Sequence, residues 1–220
     1  MKLAPRRVMH ATPDRVLRPV VALDIDGTLG YYHEHFLTFA ANWLQVGEKI
    51  PREWCDGTVP FWRLLGTSKA TYRQIKLCYR QGGLKRSMPG RVGAAELSRA
   101  VRAAGAEVWV CTTRPYLRLD NIDPDTRFWL RNQGIQYDGV LFGENKYRDL
   151  AQLVGSGRVV AVLDDEPEQC ERAQAAGLVP HLMQRTYNRP QRAWAEITNL
   201  RHAEWDFTEK VRLWRKERGV

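Results

Sequence analysis

The chain has 220 residues, 44% of them hydrophobic and 27% charged, and a formal net charge of +9. This is the composition of a folded domain, which excludes a collagen-like or intrinsically disordered chain. The longest apolar runs, 19–23 and 159–163, are too short to span a bilayer. The basic opening stretch, broken by Pro5 and Pro13, has no apolar core of the kind a secretory signal needs.

In chain order, 19–25 is a short apolar run rich in β-branched residues and reads as a buried strand. It ends in Asp24-Ile25-Asp26-Gly27-Thr28. The stretch 31–88 then interrupts the pattern, with helical pieces expected at 34–46, 61–65 and 69–81. Ala94, Leu97, Val101 and Ala104 mark a helix closed by Gly105, followed by a second strand over 106–111. A helix over 124–132 is expected to take Asp123 as its cap and Pro124 as its first residue. Then come a strand at 140–142, a helix at 146–154, a strand at 158–163, a helix at 167–176 and a short strand at 179–182. A last helix, 205–217, carries Trp205, Val211 and Trp214 and is expected to pack on the body rather than form a nucleic-acid arm. Alternating strands and helices imply an α/β fold, an open Rossmann-like parallel sheet with helices on both faces.

Charge is unevenly spread. Residues 49–91 hold ten basic and two acidic residues, and both ends are basic, while the rest is acidic. Such a split suits an anionic substrate held between a basic insert and a cation in the body. Four cysteines (Cys55, Cys78, Cys111, Cys170) form no CxxC pair. They read as reduced, mostly buried thiols of a cytoplasmic protein, without a zinc site.

The polar clusters fall at strand ends, where open parallel sheets bind ligands. Asp24 and Asp26 follow strand one, Thr112 and Thr113 strand two, and Asp164 and Asp165 strand four. Converging carboxylates repel, and a hard divalent cation such as magnesium relieves that repulsion. Thr112 and Lys146 are the candidate donors to a phosphate.

Asp24-Ile25-Asp26-Gly27-Thr28, the strand ending in Thr112, Lys146 and Leu163-Asp164-Asp165 resemble, in order, the four motifs of the haloacid dehalogenase-like (HAD) phosphohydrolase superfamily. The resemblance spans 19–184 and implies a core of 19–30 and 89–184 with a small helical cap at 31–88. The basic segments 1–18 and 185–220 flank it. A weaker resemblance links the chain to 5′(3′)-deoxyribonucleotidase-like members, through the cap, Met88-Pro89-Gly90 and the paired acids of motif four. The resemblance implies a Mg²⁺-dependent phosphatase with Asp24 as nucleophile and Asp26 as general acid and base. It implies phosphate binding by Thr112, Thr113, Arg114 and Lys146. It also implies a metal site of Asp24, Asp164, Asp165 and the Asp26 carbonyl.

The cap's aromatics and positive charge point to a nucleoside monophosphate as substrate. Two rival readings are a polynucleotide 3′-end phosphatase and a nucleic-acid-binding protein on an inactive scaffold of this type. The first is disfavoured by the cap and the second by the intact set of acids. Arg114 reads equally as a phosphate contact or a structural ion pair, and Tyr116 as a substrate contact. Arg148 competes with Lys146 for its role. His33 and His35 are expected in the cleft or in solvent. Tyr31, Tyr32, Phe36, Trp54, Phe61 and Trp62 are expected mainly in the cap's own core. Lys69, Arg73, Lys76, Arg80, Lys85 and Arg86 form a basic set that either steers substrate or is simply solvated.

Overall fold

The computed structural model describes residues 17–47, 59–115, 118–188 and 194–220. Trp54, Cys55 and Tyr116 lie outside the described residues, as does most of the basic segment 1–18. The strands are β1 (Val20–Leu23), β2 (Glu107–Thr112), β3 (Gly139–Phe142), β4 (Val159–Asp164), β5 (Pro180–Met183) and β6 (Ala195–Ile197). They form one sheet in the order β3-β2-β1-β4-β5-β6, with every neighbouring pair parallel. The helices are α1 (Tyr32–Leu44), α2 (Phe61–Leu64), α3 (Lys69–Gln81), α4 (Ala94–Ala103), α5 (Ile122–Asn132), α6 (Lys146–Val154), α7 (Pro167–Ala175) and α8 (Leu200–Arg218). No helix among the described residues is long and apolar enough to cross a membrane.

Alternation along the strands gives each face its own core. Val21, Leu23, Val108, Val110, Ala161 and Leu163 meet Leu97 and Val101 of α4, Trp129 and Leu130 of α5, and Phe207 and Val211 of α8. On the other face Val20, Ala22, Cys111 and Val162 meet Tyr147 and Leu150 of α6 and Ala173 of α7. The first cluster also takes in Phe36 and Ala40 of α1, Ile75 and Tyr79 of α3, and Met88. The 31–88 stretch is pinned at its two ends. Gly30 bridges Gly90 antiparallel, the Tyr31 amide donates to Pro89 O at 2.9 Å, and the Arg91 amide donates to Leu29 O at 2.8 Å.

Three expectations need correction. Helix α5 starts at Ile122 after Asn121, and Asp123 is not its cap but pairs with Arg127 at 2.7 Å on the exposed face. Helix α8 starts at Leu200 because the Asn199 side chain accepts from the His202 amide at 2.9 Å. Its buried stripe is Leu200, Ala203, Phe207, Val211 and Trp214, while Trp205 is 71% exposed. Strand β6, three residues long, carries no pattern that the sequence reading used.

Candidate active site

Register brings the acids together. Leu23 pairs with Leu163, and the Asp24 amide donates to Leu163 O at 3.0 Å, so the carboxylates that end β1 and β4 stand side by side. Oxygens of Asp24, Asp164 and Asp165 all lie within 4.8 Å of one another, and all three residues are buried. Lys146, at the start of α6 and 1% exposed, donates to Asp24 Oδ1 at 2.6 Å and to Asp164 Oδ2 at 2.7 Å. Arg148 points outward to Asp149, so of the two cations it is Lys146 that contacts the acids.

Asp164 and Asp165 are held differently. Asp164 accepts from the Tyr147 hydroxyl at 2.5 Å and from the Glu166 amide at 2.9 Å. Asp165 accepts from Thr28 Oγ1 at 2.9 Å and from the Tyr187 hydroxyl, and its carbonyl accepts from Asn188 Nδ2 at 2.7 Å. Against Asp165 runs the turn at Gly27, which has φ +100°, and a Cβ there would collide with the Asp165 carboxylate. The Gly27 carbonyl accepts from Arg185 Nε at 2.8 Å and from Arg91 Nε at 3.2 Å.

Asp26 is turned out of this triad. Arg114 Nη2 donates to its Oδ1 at 2.6 Å, Arg114 Nε reaches both oxygens, and Lys85 Nζ donates to Oδ2. Arg114 is 2% exposed, and its Nη1 donates to Thr126 Oγ1 at 3.1 Å, so here it serves as an ion-pair partner of Asp26. Thr112 is buried, and its hydroxyl accepts weakly from the Arg114 amide, while Thr113 is half-buried. His33 stacks on Phe61 with centroids 5.2 Å apart and packs on Tyr187 at 4.4 Å. His35 Nδ1 meets the Tyr79 hydroxyl at 2.7 Å.

These environments push the titrating groups apart. Burial would raise the Asp26 carboxyl, but Arg114 and Lys85 outweigh it and hold it well below the usual carboxylate range. Burial, with Asp164 and Asp165 nearby, raises the Asp24 carboxyl against the pull of Lys146. Burial and Asp164 push Asp165 up to about 7. Burial opposes the charge on Lys146, but Asp164 and Asp24 raise its ammonium well above the usual range. Burial pulls Lys85 down to about 7 although Asp26 favours its charge.

Three clustered carboxylates, two of them pushed toward their neutral forms, fit a hard divalent cation that would restore their charge. Asp26 contributes no carboxylate to that cluster. Sequence reasoning listed Lys85 only among the basic set and passed over Tyr147, Arg91, Arg185, Tyr187 and Asn188. None of them sits in a recognisable spacing. Each reaches the site through the tertiary fold.

No protein-family profile and no curated protein matches the chain. Solved structures do. CbbY from Rhodobacter sphaeroides, as a mutant in complex with xylulose 1,5-bisphosphate, matches with TM-score 0.57 and 18% identity over 83% of this chain and 95% of its own. A HAD hydrolase of family IA, variant 3, from Entamoeba histolytica matches with TM-score 0.58 and 13% identity over 87% and 99%. An L-2-haloacid dehalogenase matches with TM-score 0.54 and 13% identity over 86% and 99%. Hydrolases of different chemistry share this architecture, so the reaction must be argued from the side chains. The α/β fold of this chain is that of the haloacid dehalogenase superfamily.

Proposed function

We propose that the protein hydrolyses phosphate monoesters through a phosphorylated Asp24. The observation that carries this reading is the clustering of Asp24, Asp164 and Asp165, the first two of them bonded to the Lys146 ammonium, with Asp26 two residues beyond the nucleophile. Asp24 attacks phosphorus while the ester oxygen departs, and water then cleaves the acyl phosphate, which regenerates Asp24 and releases phosphate. Lys146 and Thr112 bind the phosphoryl oxygens and keep the nucleophile oriented. Thr113, next in the chain and half-buried, is assigned to the same phosphate site. Magnesium held by Asp24, Asp164, Asp165 and the Asp26 carbonyl would offset the charge of the phosphoryl oxygens.

Asp26 is the acid and base of this scheme. Clamped by Arg114 and Lys85 it is ionised, a state suited to activating the water of the second step. Protonating the leaving oxygen in the first step requires one of these cations to withdraw. Lys85 belongs to the 31–88 stretch, which we propose acts as a cap over a core of 19–30 and 89–184, so its withdrawal accompanies substrate entry. Arg114, anchored by Thr126, stays with Asp26 and positions it.

The second carboxyl favours phosphoryl transfer over dehalogenation. The substrate is a small phosphate monoester, because Asp24 is 4% exposed and a polymer end needs an open cleft. The nucleoside monophosphate reading depended on free aromatic faces. Among the described aromatics, Tyr32 and Phe36 are buried in the core, Arg63 lies over the Trp62 ring, Arg91 over Tyr31, and Phe61 stacks on His33, so the support that remains for it comes mainly from charge.

The test is release of phosphate from phenyl phosphate and a panel of 5′- and 3′-mononucleotides with magnesium, with Asp24→Asn as the control. The variant should lose activity by at least about a thousandfold while keeping the circular dichroism of the parent. Near-normal turnover by Asp24→Asn, or hydrolysis unaffected by chelation, would overturn the proposal.

A further inference from the structure

The segment that leaves β5 begins where the resemblance to the superfamily ends, yet it is tied to both halves of the acidic site. The Gln184 amide donates to Ile197 O of β6 at 2.8 Å, and Thr186–Asn188 form a single 3₁₀ turn. Every nitrogen of the half-buried Arg185 guanidinium donates to a backbone carbonyl: Nε to Gly27 O at 2.8 Å, Nη2 to Thr28 O at 3.4 Å and Nη1 to Gln184 O at 3.0 Å. The Arg185 amide donates to Asn188 Oδ1 at 2.8 Å. Asn188, which is buried, donates through Nδ2 to Asp165 O at 2.7 Å and to Met183 O at 2.9 Å. A continuous chain of hydrogen bonds therefore runs from the Gly27 carbonyl through Arg185 and Asn188 to the Asp165 carbonyl.

This chain spans a gap that the sheet leaves open. The β1–β4 ladder ends with Leu23 opposite Leu163, and Asp26 and Asp165 both lie beyond that pair, on separate turns. Asp165 also sits against Asp24 and Asp164, and like charges repel. One tie across the gap is direct, from Thr28 Oγ1 to Asp165 Oδ1. The other is the 184–188 segment, which holds the Gly27 and Thr28 carbonyls at one end and the Asp165 carbonyl at the other. Arg91, the second donor on Gly27 O, pairs with Glu34 of α1 and so ties the turn to the 31–88 stretch rather than to Asp165. A guanidinium suits the task at position 185. Its planar fork reaches two successive carbonyls at fixed angles, which an ammonium on a flexible stem does not.

We propose that Arg185 and Asn188 are positioning residues of the metal site. They hold the backbone after Asp26 and the backbone at Asp165 together, so that the Asp26 carbonyl and the Asp165 carboxylate are already placed for a divalent cation. This deepens the phosphatase reading and rests on it, because in that reading those two groups are ligands. Arg185 and Asn188 act through these groups and not on the substrate. Their contribution is preorganisation: without them the two turns must be drawn together at the expense of binding. Tyr187, between them in the chain, extends the same turn to the Asp165 carboxylate.

The experiment measures Mn²⁺ binding to the full chain by calorimetry, beside the magnesium concentration that half-saturates hydrolysis of phenyl phosphate. Arg185→Met should weaken Mn²⁺ binding about tenfold and raise the magnesium requirement by the same factor, with KM for phenyl phosphate at saturating magnesium unchanged. Asn188→Ala should do likewise. Arg185→Lys, which keeps the charge and one donor, should recover part of the loss. Arg215→Met removes an arginine–carbonyl bond at Ala104, just before β2 and at the opposite end of that strand from Thr112. It should lower the thermal midpoint without shifting either metal readout. The same pattern in Arg185→Met and Asn188→Ala, a lower midpoint with both metal readouts unchanged, would make the segment a structural brace only and overturn the inference. Should those two variants fail to fold, Arg185→Lys and Asn188→Ser decide it: Mn²⁺ binding several-fold weaker than the parent's supports the inference, and equal binding overturns it. If the unmodified protein binds Mn²⁺ without hydrolysing phenyl phosphate, the phosphatase reading falls and the binding data still decide the inference. If it binds no Mn²⁺, both fall.

Discussion

Asp26 and Asp165 show how much one side chain's surroundings decide. Both are acids near strand ends, yet one is held ionised by two cations and the other is pushed up to about 7 by burial and Asp164. Tyr187 is one of two hydroxyl donors on Asp165, and its ring also packs on His33 of α1. Tyr187→Phe keeps the ring and removes the donor. We expect it to weaken Mn²⁺ or Mg²⁺ binding, read by calorimetry, by about tenfold, as loss of an outer-shell partner does, with little change in thermal midpoint. Unchanged affinity would show that Asp165 needs no help from Tyr187. The acids themselves were legible, because paired carboxylates followed by Gly-Thr at the end of an apolar run have few other uses. Lys85 and Tyr187 were not legible. Lys85 reaches Asp26 across 59 positions and Tyr187 reaches Asp165 across 22, and no local pattern records either approach.

Elements were legible in proportion to their periodicity. Helix α6 begins at Lys146 and ends at Val154 as the pattern indicates, with Gly155 following. Helix α8 was placed too late, because Leu200 and Ala203 lie among polar residues and its start depends on a cap at Asn199. It is a structural element of the core. Phe207 and Val211 are fully buried, Trp214 Nε1 donates to Gly157 O at 2.9 Å, and Arg215 donates to Ala104 O at 3.0 Å. Arg215, one of the basic residues at this end, thus caps the end of α4. Phe207→Ala should cost about 3–5 kcal/mol, measured by urea unfolding. A loss below about 1 kcal/mol would mean that α8 contributes little to the fold.

For the whole molecule, pH acts on the site through opposed groups. Asp24 and Asp165 have raised values in the folded state, so the folded chain binds more protons than the unfolded one. For Asp165 this applies between about pH 4 and pH 7, and stability from this source falls as pH rises through that window. His33, pulled down to about 4 by burial, binds fewer protons folded than unfolded, so its share rises over much of the same range. Asp26, with a lowered value, supplies stability above its unfolded value near pH 4 that is lost on further acidification. Metal-free protein should therefore show a shallow profile between pH 5 and 7, followed by a fall below pH 4. Magnesium competes with protons for the acids, so it should raise the thermal midpoint more at pH 7 than at pH 5. An equal or larger effect at pH 5 would remove these acids as its site.

The strand β1 has four residues, all fully buried and paired on both sides, with β2 in unbroken register and with β4 in register from Val21 to Leu23 after an irregularity at Val20. It works as a ruler. One residue inserted between Val20 and Leu23 would advance Asp24 by about 3.3 Å and turn it to the opposite face of the sheet. Length variation among natural versions of this chain should therefore be absent from β1 and β4 and confined to the connections away from their carboxyl ends.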